Sequence, residues 1–432
     1  MSDLVETIDF FRDPDVAQDP YEYWEALRAR GPIVHEPFHD VWMVNGYEEA
    51  VAIYHDQATW SSCTAVTGPF PGFPVPIEGD DITQLIDEHR EELPFYDQLP
   101  CLDPPKHTAH RALLMRLITP KRLKENEEFM WRLADETIDE FYAAGSPTGE
   151  CEFITAYAQP FTLLVVADLL GVPEQDRNRF REQLLGGHGR VARGLGSTSG
   201  ETMEHTPLEY LYEQFSTYIE DRRHNPRDDV LTGLATATFP DGSLPEVGDA
   251  MRIASNLFAA GGETTARLLS TSFRILGEQP ELQEQLRSDR ELIPNFVEET
   301  LRIESPIKGD FRLSRVPTTV GGVALPAGTT VMVINGAANR DPRLFDAPSE
   351  FQVARSNARQ HVAFGHGIHT CAGAPLARAE AVVTINRFLD RMQDIRVSDA
   401  HHGPAGARKY EYDPTFILRG LRSLHLEYTP TA

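Results

Sequence analysis

Apolar positions recur mostly every three or four residues, the spacing of a helix face, and tighten into strand-like runs in only two regions. Tyr23, Trp24 and Leu27 predict an amphipathic helix over Pro20–Arg30, followed by a hairpin over Ile33–Val44 and a helix over Tyr47–His55. Further helices are predicted over Trp131–Ala143, Ala156–Leu170, Pro207–Arg223, Asn295–Arg302 and Pro375–Met392. The longest helical pattern runs from about Pro245 to Gly277, about 50 Å at roughly 1.5 Å per residue. Strands are expected at Asp310–Val316, Thr319–Leu325 and Thr329–Ile334. The pattern lapses at Thr67–Gly79, rich in proline and glycine, and at residues 184–206, which hold six glycines. The second lapse reads equally as a mobile lid or as disorder without function. The fold class is therefore mostly α with small β-sheets. One unit is expected over residues 1–432, with an N-terminal tail of about 1–19 and β-rich parts near 31–60 and 310–335.

Composition narrows the possibilities. The net charge of −26 sets the chain against nucleic-acid phosphates. The N-terminus has neither a basic region nor an apolar run, so no signal peptide is expected. No stretch reaches the roughly 20 apolar residues of a membrane span. Four cysteines without paired spacing suit a reducing cytoplasm better than a disulfide scaffold.

Chemistry concentrates at a few positions. Cys63, Cys101 and Cys151 lack glycine-rich surroundings and read as small buried side chains. Cys371 lies among Gly365, Gly367 and Gly373, just ahead of a predicted helix. Glycines let backbone N–H groups approach a sulfur, and a helix start favours a thiolate. The loop therefore looks built to hold Cys371 ionised, and a metal bound through sulfur is one clear use. The middle of the longest helix carries Gly261-Gly262-Glu263-Thr264, although each interior glycine costs about 1 kcal/mol. Either another helix packs there or a groove opens, with an acid and a hydroxyl at its edge. Asp103 is a candidate N-cap for a helix that places His107 and Arg111 on one face. Glu299 and Arg302 can pair one turn apart.

The spacing Phe-x-x-Gly-x-His-x-Cys-x-Gly, from Phe364 to Gly373, resembles the haem-binding loop of the cytochrome P450 family. Ala260–Thr265 resembles that family's oxygen-activation motif, and His107-x-x-x-Arg111 its propionate clamp. Glu299, Arg302 and Arg355 resemble its structural triad. The resemblance covers about Pro20 to Glu427 and implies a fold with a long central helix across the haem.

It implies Cys371 as the iron ligand of haem b, with Phe364, Gly365, His369 and Gly373 in the cofactor loop. Arg312 and His361 are implied as propionate contacts, with Arg315 a rival for Arg312. Glu263 and Thr264 are implied as the proton-delivering pair. Phe70, Phe73, Leu257, Phe258, Ala259, Ala260 and Ile307 are implied as an apolar pocket, with Phe95 and Tyr96 further aromatics of its cover. Lys308 and Asp310 are too polar for that wall and are expected to pair with each other. The implied reaction is hydroxylation of a small hydrophobic molecule with O₂. Electrons would come from NAD(P)H through a separate reductase and a ferredoxin or flavodoxin, because the chain has no Gly-x-Gly-x-x-Gly site after a strand and no four-cysteine cluster motif. Lys106, Arg111, Arg359 and Arg378 could form the docking patch, or could serve propionates and solvent. A peroxygenase, a coupling or desaturating oxidase, and a non-catalytic haem carrier remain alternatives.

Overall fold

The computed structural model describes residues 4–143, 149–185 and 206–431. The glycine-rich stretch expected as a lid falls outside the described residues except at its ends. Helices dominate, as the spacing predicts, and the helix Tyr47–His55 matches its expected bounds. The expected tail is structured: Leu4–Thr7 and Pro14–Gln18 are helical, and Val5, Phe10 and Phe11 are buried. These apolar side chains sit in a core shared with Trp24, Phe311 and Phe416.

The strands are β1 (Ile33–Glu36), β2 (Val41–Val44), β3 (Trp60–Ser61), β4 (Glu150–Glu152), β5 (Asp310–Ser314), β6 (Thr318–Val320), β7 (Val323–Leu325), β8 (Thr330–Val333), β9 (Met392–Val397) and β10 (His425–Pro430). The two β-rich regions join in one sheet of order β1-β2-β8-β5-β3. One seam is a parallel pairing of β2 with β8, Trp42 opposite Val331, and the other an antiparallel pairing of β3 with β5, Trp60 opposite Ser314. A second sheet has the order β4-β10-β9. The single strand expected over Thr319–Leu325 is instead the hairpin β6-β7. Gly321 and Gly322 both take positive φ, 54° and 84°, as a tight two-residue turn requires.

The long helix, Val247–Glu278, runs for 32 residues and organises the α-rich core. The helices Lys106–Leu117, Gln159–Leu170, Thr206–His224, Ile293–Ile303 and Ala374–Arg391 all pack against it. Gln159–Leu170 is apolar nearly all round and almost wholly buried, as an interior helix should be. Its Val166 explains one glycine: a Cβ at Gly261 would lie 2.8 Å from Val166 Cγ2. The Thr162 hydroxyl donates to the Gly262 carbonyl at 2.7 Å. Packing therefore accounts for the Gly261 face. The opposite reading holds as well, because Ala259–Thr264 is accessible, with Ala260 exposed, between flanks that are mostly buried. The helix thus meets a cleft at its midpoint.

Candidate active site

The cysteine loop is shaped by backbone contacts. Cys371 N–H donates to the Phe364 carbonyl at 2.9 Å, which folds the loop back on itself. Gly365 and Gly367 take φ of 64° and 67°. A Cβ on Gly367 would fall 2.1 Å from the Tyr54 carbonyl oxygen, so only glycine fits. Near the far end of the helix that follows the loop, Phe388 packs among Phe153, Tyr157 and Phe273 with ring centroids 4.4–5.6 Å apart within the group. The Arg378 guanidinium covers the Phe364 ring at 4.7 Å.

Cys371 has accessible surface yet lies deep among protein atoms, and burial pushes its thiol up. The N–H groups of Gly373 and Ala374 and the charges of Arg111 and Arg378 oppose that shift without cancelling it. The loop thus carries the N–H donors expected around Cys371, set against burial that works the other way.

A polar cluster stands beside the loop. His107 is buried, and neither ring nitrogen has a hydrogen-bond partner. Its ring lies 4.1 Å from that of His369, whose Nε2 is 3.1 Å from Ser62 Oγ. Arg111 donates to the Thr370 carbonyl at 2.5 Å. Arg312 donates to Asp310 at 3.0 Å and to the Phe311 carbonyl at 2.6 Å. Burial and the Arg111 charge push His107 down to about 4. Burial and then the Arg312 charge push His369 down to about 2. A buried imidazole without partners, a second imidazole against it and two guanidiniums nearby suit anionic groups, and the two propionates of haem fit this donor set.

Arg315 is no rival for Arg312. It pairs with Asp103 at 2.7 Å. Asp103 is not an N-cap. The helix begins at Lys106 without a side-chain cap, while Asp103 also accepts from Ser61 Oγ, Ser62 N and Arg90 at 2.5–2.9 Å. Burial works to raise this carboxyl, but those partners hold it below the ordinary range.

His361 has both ring nitrogens engaged: Nδ1 accepts from Ala363 N, and Nε2 lies 3.1 Å from Glu298. Glu298 also binds Arg378 at 2.6 Å and Arg359 at 3.5 Å. Sequence reasoning missed it, since two adjacent glutamates look alike there. Two of the four cations of the expected docking patch are thus tied to Glu298, while Lys106 is exposed.

Glu299, Arg302 and Arg355 do meet. Arg302 Nε–Glu299 is 2.7 Å and Arg355 Nε–Glu299 2.9 Å. The two arginines also donate to backbone carbonyls at Asn339, Asp346, Ala347, Pro348 and Glu350.

On the long helix, the Thr264 hydroxyl donates to the Ala260 carbonyl at 2.7 Å. Glu263 pairs with Arg267, which also reaches Asp413 at 3.0 Å. The second Glu263 oxygen, Oε2, is buried without a hydrogen-bond partner.

Lys308 and Asp310 do not pair. Lys308 is buried and donates to the Thr415 carbonyl. Asp310, at the start of β5, bonds Arg312 and Tyr54, while Lys308 lies in the segment before the strand and meets the 415–417 backbone instead. Of the expected pocket, Ala259, Ala260 and Ile307 keep accessible surface. Leu257 is buried. Phe258 packs against Phe180 and Phe215 at 5.4 and 6.0 Å, since it lies on the core face of the helix. Phe70 packs with Phe11, His39 and Phe416, and Phe73 stands by His89. Both therefore anchor their loop.

The comparisons agree with this geometry. The family model described as Cytochrome P450 matches residues 209–394. "Cytochrome P450 144" of Mycobacterium tuberculosis is 34% identical over 407 residues, 90% of this chain and 86% of its own. "Cytochrome P450 monooxygenase PikC" of Streptomyces venezuelae is 30% identical over 418 residues, covering 96% and 92%. The solved structure of Mycobacterium marinum cytochrome P450 CYP150A6, in the substrate-free form, is 53% identical with a TM-score of 0.92, covering 99% of this chain and 100% of that one. With likeness this extensive, and with the cysteine loop, long helix and buried donors assembled as described, the chain belongs to the cytochrome P450 family of haem-dependent monooxygenases.

Proposed function

We propose that this protein hydroxylates a small hydrophobic organic molecule, with haem held by Cys371 and its propionates met by His107, Arg111, Arg312 and His369. The observation that carries this reading is the pair of buried, partnerless ring nitrogens of His107 beside His369. A neutral cleft would not leave such donors orphaned. The bound haem supplies oxygen activation, the thiolate pushing electron density so as to favour O–O cleavage.

The chain's own residues set the conditions. Gly373 and Ala374 N–H groups and the Ala374–Arg391 helix start stabilise the Cys371 thiolate. Phe364, held under Arg378, shields one flank of the loop from water. The Thr264 hydroxyl gives its hydrogen to the Ala260 carbonyl, leaving its oxygen lone pairs to accept from water in the cleft. Glu263 Oε2, without a hydrogen-bond partner, is the oxygen that would take and return a proton, while Arg267, itself held by Asp413, fixes the carboxylate through its other oxygen. Ala259, Ala260 and Ile307 provide an apolar wall for the substrate. Electrons from NAD(P)H arrive through a separate ferredoxin or flavodoxin and its reductase, in the cytoplasm. Among the described residues no helix is long and apolar enough to cross a membrane.

The test is the absorption spectrum of the reduced protein with CO, for the wild type and for Cys371→His. A strongly red-shifted Soret band that the variant loses is expected. A histidine-type spectrum in the wild type, or no haem at all, would overturn the assignment.

A further inference from the structure

A second cluster of metal-ligand residues lies on the β4-β10-β9 sheet and belongs to none of the chemistry above. Glu150 is on β4, His425 opens β10, and His401 sits in the short turn of helix Asp399–His402 after β9. His401 Nε2 is 3.1 Å from Glu150 Oε1. The His401 and His425 rings stack at 3.7 Å with an interplanar angle of 6°. One ligand atom from each of the three residues lies within 4.8 Å of the other two. Atoms sharing a tetrahedral zinc lie about 3.3 Å apart, and the ion lies in the plane of each imidazole, so closing the set takes shifts on the order of 1 Å together with rotation of the two rings out of their stack.

The surroundings prepare these donors. The three side chains meet at one corner of the sheet, and a cation lying in the plane of both rings, once they turn out of their stack, satisfies the two imidazoles and the carboxylate together. His402 is committed elsewhere. Its Nε2 accepts the His425 backbone N–H at 3.0 Å, and its Nδ1 lies 3.2 Å from the Lys409 carbonyl. It therefore fixes the strand that carries His425 without competing as a ligand. Across the ladder, Glu150 faces Glu427 and Glu152 faces His425, so the Glu150 carboxylate reaches His425 diagonally.

We propose that Glu150, His401 and His425 form a binding site for a divalent transition-metal ion of the zinc class, with its fourth position open to water. Two nitrogen ligands and one carboxylate select such an ion over calcium or magnesium. The bound ion clasps β4, β10 and the corner after β9 together.

The test uses the haem-loaded protein, made without a histidine tag, stripped with chelator and dialysed against zinc. One zinc per chain should remain, and the melting temperature should rise on zinc addition. His401→Ala, His425→Ala and Glu150→Gln should each weaken zinc binding by about tenfold or more. His224→Ala, which removes an exposed histidine elsewhere, should leave it unchanged. An unaltered CO spectrum confirms that each variant is folded, and Glu150→Gln decides if a histidine variant fails that check. Retention no greater in the wild type than in the cluster variants, or an equal loss in His224→Ala, would overturn the site.

Discussion

Thr264 spends its hydroxyl hydrogen on its own helix, so in the proposed reaction it would offer an acceptor position and, through water, a proton path. We expect Thr264→Ala to keep consuming NAD(P)H while product per NAD(P)H falls by about 10²-fold, the low end for a positioned proton group. Unchanged product yield per NAD(P)H would remove Thr264 from that role. Glu380 gives a second test at single-residue scale. It is fully buried, and neither carboxyl oxygen has a hydrogen-bond partner. Burial raises its pKa well above the ordinary value, and neighbouring Thr265 lowers it only in part. Because the folded value is raised, its stability contribution is complete below the unfolded carboxyl range near 4.3 and is lost as pH rises toward the folded value. Glu380→Gln should therefore melt higher than wild type at pH 7, with the advantage gone near pH 4. Equal melting curves at both pH values would show that the carboxyl is not held neutral.

At the scale of elements, the Ile293–Ile303 helix is bolted to the 339–355 segment by charges rather than by apolar contact alone. Glu299 stands between two guanidiniums that are almost fully buried. Removing it leaves both without a counter-charge, at a cost of about 3–5 kcal/mol. Glu299→Ala should show this as a lowered denaturation midpoint and poor haem retention. A midpoint within experimental error of wild type would mean that the arginines are satisfied by the backbone carbonyls alone.

Elements were also where the sequence was most legible. A helix face repeats locally, so Tyr47–His55, the long helix and the helix after Cys371 could be read with bounds good to a few residues. Likewise Cys371 stands inside a single glycine loop, and His107 and Arg111 stand one turn apart on a single helix. What depends on helix phase or on distant partners was not legible. Phe258 and Ala260 are two residues apart, yet one packs in the core and the other faces the cleft. Asp103 has the right residue type for a cap, but Arg90 and Arg315 claim it. Glu298 looked no different from Glu299 until His361 and Arg378 were placed against it.

For the whole molecule, the least legible feature was the joining of the two β-rich regions into one sheet. Strand pairing carries no local signature when the partners are almost three hundred positions apart, as Trp42 and Val331 are. That seam has a consequence for how the chain is made. During synthesis β2 leaves the ribosome with one edge unpaired, and its neighbour β8 follows roughly 15–60 s later at usual elongation rates. Over that interval the nascent hairpin offers an open edge to any passing strand, and no N-terminal portion can finish its own sheet early. High contact order of this kind favours slow, late closure. In pulsed hydrogen exchange during refolding, the amides of Trp42–Val44 should gain protection together with those of Val331–Val333, and earlier protection of the hairpin would refute it. The finished sheet therefore depends on that hairpin edge staying free of wrong partners until β8 arrives, whatever molecule the finished enzyme oxidises.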